Sequence, residues 1–163
     1  MVKLLGAVMT GLSCGYFGFR LNASLKKRIK SLGDIVSSLE LLESEIAFSA
    51  QKLQKAFINA DRNGLFTAAA AGIEEHGVKK AWRNAVREKQ KEYCLTAADC
   101  EALYMLADNI GKTDADNQIK HIKYVKTAVS GQAAAAQSEY DRFGRVYRNG
   151  GVLIGLMIVI ILA

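Results

Sequence analysis

Apolar residues recur every three or four positions along the first half of the chain. Ile29, Leu32, Val36, Leu39, Leu42, Ile46, Leu53 and Phe57 form one such series between Leu25 and Phe57. That spacing lays a single apolar stripe along a helix, with Glu40, Glu43, Glu45, Lys52 and Lys55 on the opposite face. Ser49 or Ala50 fills the gap after Ile46, so the segment is one helix or two, with the break near Ser49. Asn63 and Gly64 punctuate the chain before an alanine-rich helix from Leu65 to about Glu75. Gly77 then opens a charged amphipathic helix, Val78 to about Tyr93, with Ala81, Trp82, Ala85 and Val86 on its inner side. Gly64, Gly72, Gly77 and Gly111 are the expected turns of this middle region.

Two further helix starts are marked by capping residues. Thr96 stands three residues before Asp99, and Thr113 three before Asp116. A threonine hydroxyl accepts from an exposed amide at the helix start, and the acid three positions on answers the cap. The helix after Thr96 carries Leu103, Leu106 and Ile110 and stops at Gly111. The last series, Ile122, Val125, Val129, Ala133, Ala136, Tyr140, Phe143 and Tyr147, keeps the same steps toward the C-terminus. Unbroken from Asp114 to Ala163, it would be a rod of roughly 75 Å, with bends expected at Gly131, Gly144 and the Gly150–Gly151 pair.

At both ends the stripe gives way to continuous apolar sequence. Leu4–Phe19 reads LLGAVMTGLSCGYFGF, and Gly150–Ala163 reads GGVLIGLMIVIILA. As helices these span about 24 and 21 Å, short of a hydrocarbon core of roughly 30 Å. A cleaved signal peptide wants small residues where Tyr16, Phe17 and Phe19 stand, and a lipoprotein signal wants a leucine where Gly11 precedes Cys14. The C-terminal run has no polar face to offer a soluble bundle. The expectation is therefore an all-α protein, a compact antiparallel bundle of five or six helices between two terminal transmembrane helices. Residues 1–20 form the first span, 21–149 the middle domain and 150–163 the second span. Gly11 with Gly15, and Gly151 with Gly155, give each span a small-xxx-small face. Such faces let another backbone approach closely, between the spans or between copies of the chain in a homo-oligomer.

Composition sharpens this outline. The chain contains no proline, where average usage near 5 % predicts roughly eight in a chain of this length, which favours long helices. All 16 acidic residues lie between Asp34 and Asp141, and Lys3 alone among the 22 basic residues lies outside Arg20–Arg148. Arg20, Lys26, Lys27, Arg28 and Lys30 follow the first span without an acid among them, and Arg142, Arg145 and Arg148 precede the second. Basic flanks stay cytoplasmic, which places the middle inside and both termini outside. The run from Arg20 to Lys30 has no interleaved aromatic, so it fits anionic lipid heads and not nucleic acid. Three cysteines, Cys14, Cys94 and Cys100, have no metal or redox spacing and read as free thiols.

Little of the remainder points to catalysis. Gly111-Lys112-Thr113 resembles the end of a phosphate loop, but the glycine required five positions earlier is Leu106. Thr113, Asp114, Asp116, Gln118 and His121 cluster at one helix start as a polar cap network that fixes the loop. His76 and His121 are the only histidines, too few for an ordinary zinc site. No nucleophile, base and orienting group assemble, so the reading is a non-enzyme with no cofactor and no metal. Lys79, Lys80, Arg83, Arg87 and Lys91 make the most basic exposed stretch away from the spans, and are the candidate partner surface.

The start Met1-Val2-Lys3-Leu4-Leu5-Gly6-Ala7-Val8, the string SLELLESEI from Ser38 to Ile46, and the Ala81-Trp82 pair occur in a telling order. Gly111-Lys112-Thr113-Asp114 with Gln118 and Lys120-His121-Ile122 follow them. Taken over the whole chain, this order resembles the stage III sporulation protein AB family of endospore-forming bacteria. One departure follows Phe48, where the family has a proline opening the next helix and this chain has Gln51-Lys52-Leu53. The family is similar to the cytoplasmic helical domain of platform proteins in type II secretion and type IV pilus machines. The resemblance implies a subunit in the mother-cell membrane, within a channel complex joining mother cell and forespore. Its implied partners are a secretion-type ATPase and other membrane subunits of that complex. The alternative is a membrane-tethered helical adaptor or scaffold unrelated to secretion.

Overall fold

The computed structural model describes the backbone over residues 2–48, 52–111 and 114–162, and side chains over residues 19–48, 52–111 and 114–142. Every regular element among the described residues is a helix: α1 (Val2–Phe48), α2 (Leu53–Ala60), α3 (Leu65–Glu92), α4 (Ala97–Tyr104), α5 (Leu106–Asn109) and α6 (Ala115–Leu162). Among the described residues the two apolar ends are not separate helices, since each belongs to a helix, α1 or α6, that also carries the charged series. Among the described residues, no helix is long and apolar enough to cross a membrane. Apart from Phe19 and Arg20, both exposed, the side chains of both expected spans lie outside the described residues. The chain divides into two compact units, Met1–Lys27 with Ala135–Ala163, and Arg28–Ala134.

In the second unit the buried stripe of α1 is Leu32, Ile35, Leu39 and Leu42; three of these belong to the expected series, and Ile35 takes the place of Val36, which is half-buried along with Ile29 and Ile46. The steps of three, four and three keep one face inward. Ser38 lies on that face, fully buried, and its Oγ accepts the Arg62 backbone N–H at 3.0 Å. Asn59 donates to Glu45 at 3.2 Å, so α2 runs back along α1 in the antiparallel sense. The segment left open as one helix or two is two, α1 ending at Phe48 and α2 beginning at Leu53. On α6, Ile122, Val125 and Val129 are buried, while Lys126 reaches Glu40 and Glu43 of α1 at 3.7 and 3.5 Å.

The entry to α3 depends on Asp61 more than on the Asn63-Gly64 pair. Gly64 occupies the cap position in the left-handed conformation and has no side chain to offer. Asp61 Oδ1 accepts the Gly64 and Asn63 amides at 2.9 and 3.2 Å, and its Oδ2 accepts the Thr67 amide at 3.1 Å. Burial opposes the Asp61 charge, but the Thr67 side chain and these amides outweigh it and hold the carboxyl below its ordinary value.

α3 itself is two helical arms, 65–76 and 78–92, joined at Gly77, whose φ of 73° and ψ of 160° interrupt the helix as the sequence predicts. That region of backbone space is reserved essentially for glycine. Gly72 was an expected turn but sits inside the first arm. A Cβ there would meet the Ala81 Cβ at 3.3 Å, so the small residue serves close approach of the two arms. At Gly77 a Cβ would meet nothing within 4 Å. Gly77→Ala therefore isolates backbone strain from steric clash. It is expected to cost about 1–3 kcal/mol in a urea titration, and an unchanged midpoint would show that the joint relaxes freely.

The core lies where α2, both arms of α3 and α4 meet. Trp82 is fully buried, with Phe57 and Phe66 edge-on to it at 5.7 and 4.9 Å. The four residues expected on the inner side, Ala81, Trp82, Ala85 and Val86, are all buried. The single helix expected from Thr96 to Gly111 is instead α4 and α5, divided at Met105, and Leu103, Leu106 and Ile110 all point inward. In the first unit the described side chains include buried Asn22 and Ala136, and the Lys26 ammonium lies 5.7 Å from the Tyr140 ring centre.

Candidate functional site

α4 opens on a complete capping box. Thr96 Oγ1 accepts the Asp99 amide at 3.3 Å, and Asp99 Oδ2 accepts the Thr96 amide at 2.8 Å. The same carboxylate faces α1, where Arg28 Nε donates to Oδ2 at 2.7 Å and Nη2 to Oδ1 at 2.9 Å. Two parallel bonds make this a bidentate guanidinium–carboxylate pair, and Nη2 also reaches Thr96 Oγ1 at 3.4 Å. Asp99 is fully buried and Arg28 nearly so. Burial opposes the Asp99 charge, yet the Arg28 and Thr96 bonds outweigh it and keep the carboxyl below its ordinary value. With both Asp99 oxygens committed to these donors, the pair acts as a latch between α1 and α4.

This geometry removes Arg28 from the set assigned to lipid heads, since its guanidinium is desolvated against a protein carboxylate. Sequence reasoning missed the pair. The available signal was register, because Arg28 stands four residues before Leu32 on the buried stripe. The other members of that set, Arg20, Lys26, Lys27 and Lys30, are exposed, with Lys30 held by Asp34 at 2.8 Å. Gly11, Gly15, Gly151 and Gly155 lie outside the residues whose side chains are described.

The corner before α6 is tied by a polar network whose cap is placed one residue later than expected. α6 begins at Ala115, so Asp114 occupies the capping position, and its carboxylate accepts from the Asn117 amide and side chain at 3.4 and 2.6 Å. The side-chain bond from Asn117 holds the Asp114 carboxyl below its ordinary value. Thr113 lies outside the described residues. Gln118 Oε1 accepts the Gly111 amide at 3.1 Å. His121 Nε2 lies 2.7 Å from the Met105 carbonyl, and Asn109 Nδ2 lies 3.4 Å from Nδ1. Those contacts fit the Nε2–H tautomer, donating to the carbonyl while Nδ1 accepts. Asp116 is exposed in the first turn of α6. Among the described residues, no group of three or more histidines, cysteines and acids is placed to hold a metal.

The second arm of α3 presents Lys79, Lys80, Arg83, Arg87 and Lys91 to solvent. Lys79 is paired with Asp108 at 2.9 Å. The Arg83 guanidinium lies 5.0 Å from the Tyr104 ring centre, and Arg87 Nη2 donates to Asn84 Oδ1 at 3.4 Å. These neighbours steady the two guanidinium groups while leaving them exposed.

The family model described as stage III sporulation protein AB matches residues 3–163. Stage III sporulation protein AB of Bacillus subtilis (strain 168) is 24 % identical over 170 residues, covering 99 % of each chain. A solved structure titled stage III sporulation protein AB shares the fold with a TM-score of 0.62 at 22 % identity, covering 70 % of this chain and 96 % of that one.

Proposed function

The chain belongs to the stage III sporulation protein AB family and has a sporulation-related role, and we propose that it is a non-enzymatic membrane platform subunit. In this reading it serves a secretion-like channel complex between mother cell and forespore and engages a cytoplasmic secretion-type ATPase. The observation that carries the reading is the family match across nearly the whole chain. The likeness of that family to secretion and pilus platform domains supplies the role. The helical unit supports it, since its most basic face, on α3, is exposed. The basic residues that follow the first apolar segment and precede the second support a two-pass topology in the mother-cell membrane, with the middle cytoplasmic and both termini outside.

Deleting the coding sequence in the native spore former is expected to abolish nearly all heat-resistant spores, counted as survivors after heating. Crosslinking through a photoreactive residue in place of the exposed Asn84 should yield an adduct with the secretion-type ATPase or a membrane subunit of the complex. Undiminished spore counts would overturn the platform reading. A sporulation defect whose adducts contain no channel component would favour the adaptor or scaffold.

A further inference from the structure

Around the second arm of α3, the buried residues Ala81, Trp82, Ala85 and Val86 define the inner side. Lys80, Arg83, Arg87 and Lys91 follow one another at steps of three, four and four. At 3.6 residues per turn they fall within an arc of about 80°, directly opposite the buried side. The stripe runs about 16 Å along the helix, and Glu88 stands at its edge, outside the line of cations. We infer that this stripe docks an acidic helix of a protein partner, with the Arg83 and Arg87 forks taking carboxylates spaced one helical turn apart.

The arrangement favours a protein over the other anions a basic face attracts. None of the exposed large hydrophobics among the described residues (Phe19, Leu21, Phe48, Ile58 and Tyr124) lies on α3. A helix that lies in a membrane surface needs apolar residues beside its cations. Single-stranded nucleic acid would want aromatic platforms free to stack, whereas the aromatic ring here is already covered by Arg83. What remains is a narrow line of cations whose two central members are steadied by Tyr104 and Asn84. Pre-positioned guanidinium forks match carboxylates bidentately, and the length of the line fits about three turns of a partner helix.

This inference rests on the reading of the chain as a subunit with protein partners. It is tested with the full chain in phosphatidylcholine nanodiscs and a synthetic helical peptide carrying glutamates one turn apart. Fluorescence anisotropy is expected to show the glutamate peptide binding at least about tenfold tighter than its glutamine twin. Arg83→Glu with Arg87→Glu should abolish that preference and transfer it to a lysine twin. Arg83→Lys with Arg87→Lys keeps the charge without the forks, and should weaken binding several-fold. If the glutamate variant loses the emission of buried Trp82, Arg83→Gln with Arg87→Gln asks the same question of a folded chain. Equal binding of the glutamate and glutamine peptides would overturn the inference. So would tighter binding of phosphatidylglycerol vesicles or single-stranded RNA through the same two arginines. Such a result beside a spore defect on deletion removes the docking stripe alone, whereas normal spore counts remove the platform reading.

Discussion

Asp99→Ala is expected to lower the unfolding free energy of the purified chain by about 3–5 kcal/mol, the cost of leaving one partner of a buried ion pair uncompensated. Typical domains have about 5–15 kcal/mol in all, so the variant should be largely unfolded in mild denaturant. The cause is the geometry at the start of α4. Removing the carboxylate strips Arg28 of two bonds at 2.7 and 2.9 Å and takes away the acceptor that answers the Thr96 amide. Trp82, the single tryptophan, reports the transition by the red shift of its emission as the core opens. Replacing both partners by apolar residues, Arg28→Met with Asp99→Leu, should recover most of the loss, because no charge is then left buried. A loss below about 1 kcal/mol in the single variant would place the pair among ordinary surface bridges.

The same carboxyl sets an acid limit. Its value is lowered in the folded state from an ordinary 3.8, so the folded state binds the proton less readily than the unfolded one. The stability it contributes is fully present above that ordinary value and is lost as pH falls below it, through the folded value. Asp61, lowered from the same starting value, adds to the same loss. Urea midpoints should therefore hold steady above about pH 5 and fall steeply below about pH 4. In Asp99→Ala the fall should be shallower, since the buried member of the three lowered carboxyls, Asp61, Asp99 and Asp114, is gone.

Much of the fold was legible because burial and helical period coincide. Trp82, Ala85 and Val86 repeat with helical spacing on one face, and Gly77 interrupts the helix at the one place where the pattern restarts. Thr96 and Asp99 were legible as a cap, because the box is local in sequence. The second use of Asp99 was not, since its partner Arg28 lies 71 residues away and nothing in a local pattern records such a pairing. Arg28 was further disguised by its setting in a basic run, where charge read as lipid attraction although its register was that of Leu32 and Ile35. Asp61 escaped for a related reason. The turn before α3 looked like an Asn-Gly punctuation, whereas the amides there are gathered by a carboxylate that precedes both residues. At the corner before α6, threonine and aspartate are both good caps, and spacing alone could not choose between adjacent positions.

Trp82→Ala is expected to be as damaging as loss of the latch, costing about 3–5 kcal/mol, by an independent mechanism. Three rings meet there edge to face, Phe57 of α2 with Phe66 and Trp82 of the two arms of α3. Such pairs contribute about 0.5–1.5 kcal/mol each beyond the area they bury. The indole N–H also donates to the Leu103 carbonyl at 2.6 Å in a buried setting, so one side chain joins α2, both arms of α3 and α4. Trp82→Phe separates these contributions, since it keeps an aromatic ring in the cluster and removes the donor. It should cost about 1–3 kcal/mol, the penalty of losing a buried hydrogen bond to a carbonyl that then keeps only the Met105 amide. Both variants lack the fluorescent residue, so their unfolding is followed by circular dichroism at the helical minimum. A phenylalanine variant as unstable as the alanine one would assign the cost to the hydrogen bond. An alanine variant losing less than about 2 kcal/mol would show that α2 and the arms of α3 close over the void. If the latch and the ring cluster stabilise the unit independently, Asp99→Ala and Trp82→Ala together should sum to within about 0.5 kcal/mol. A clear shortfall would mean that the first substitution already loosens α4 from the ring cluster.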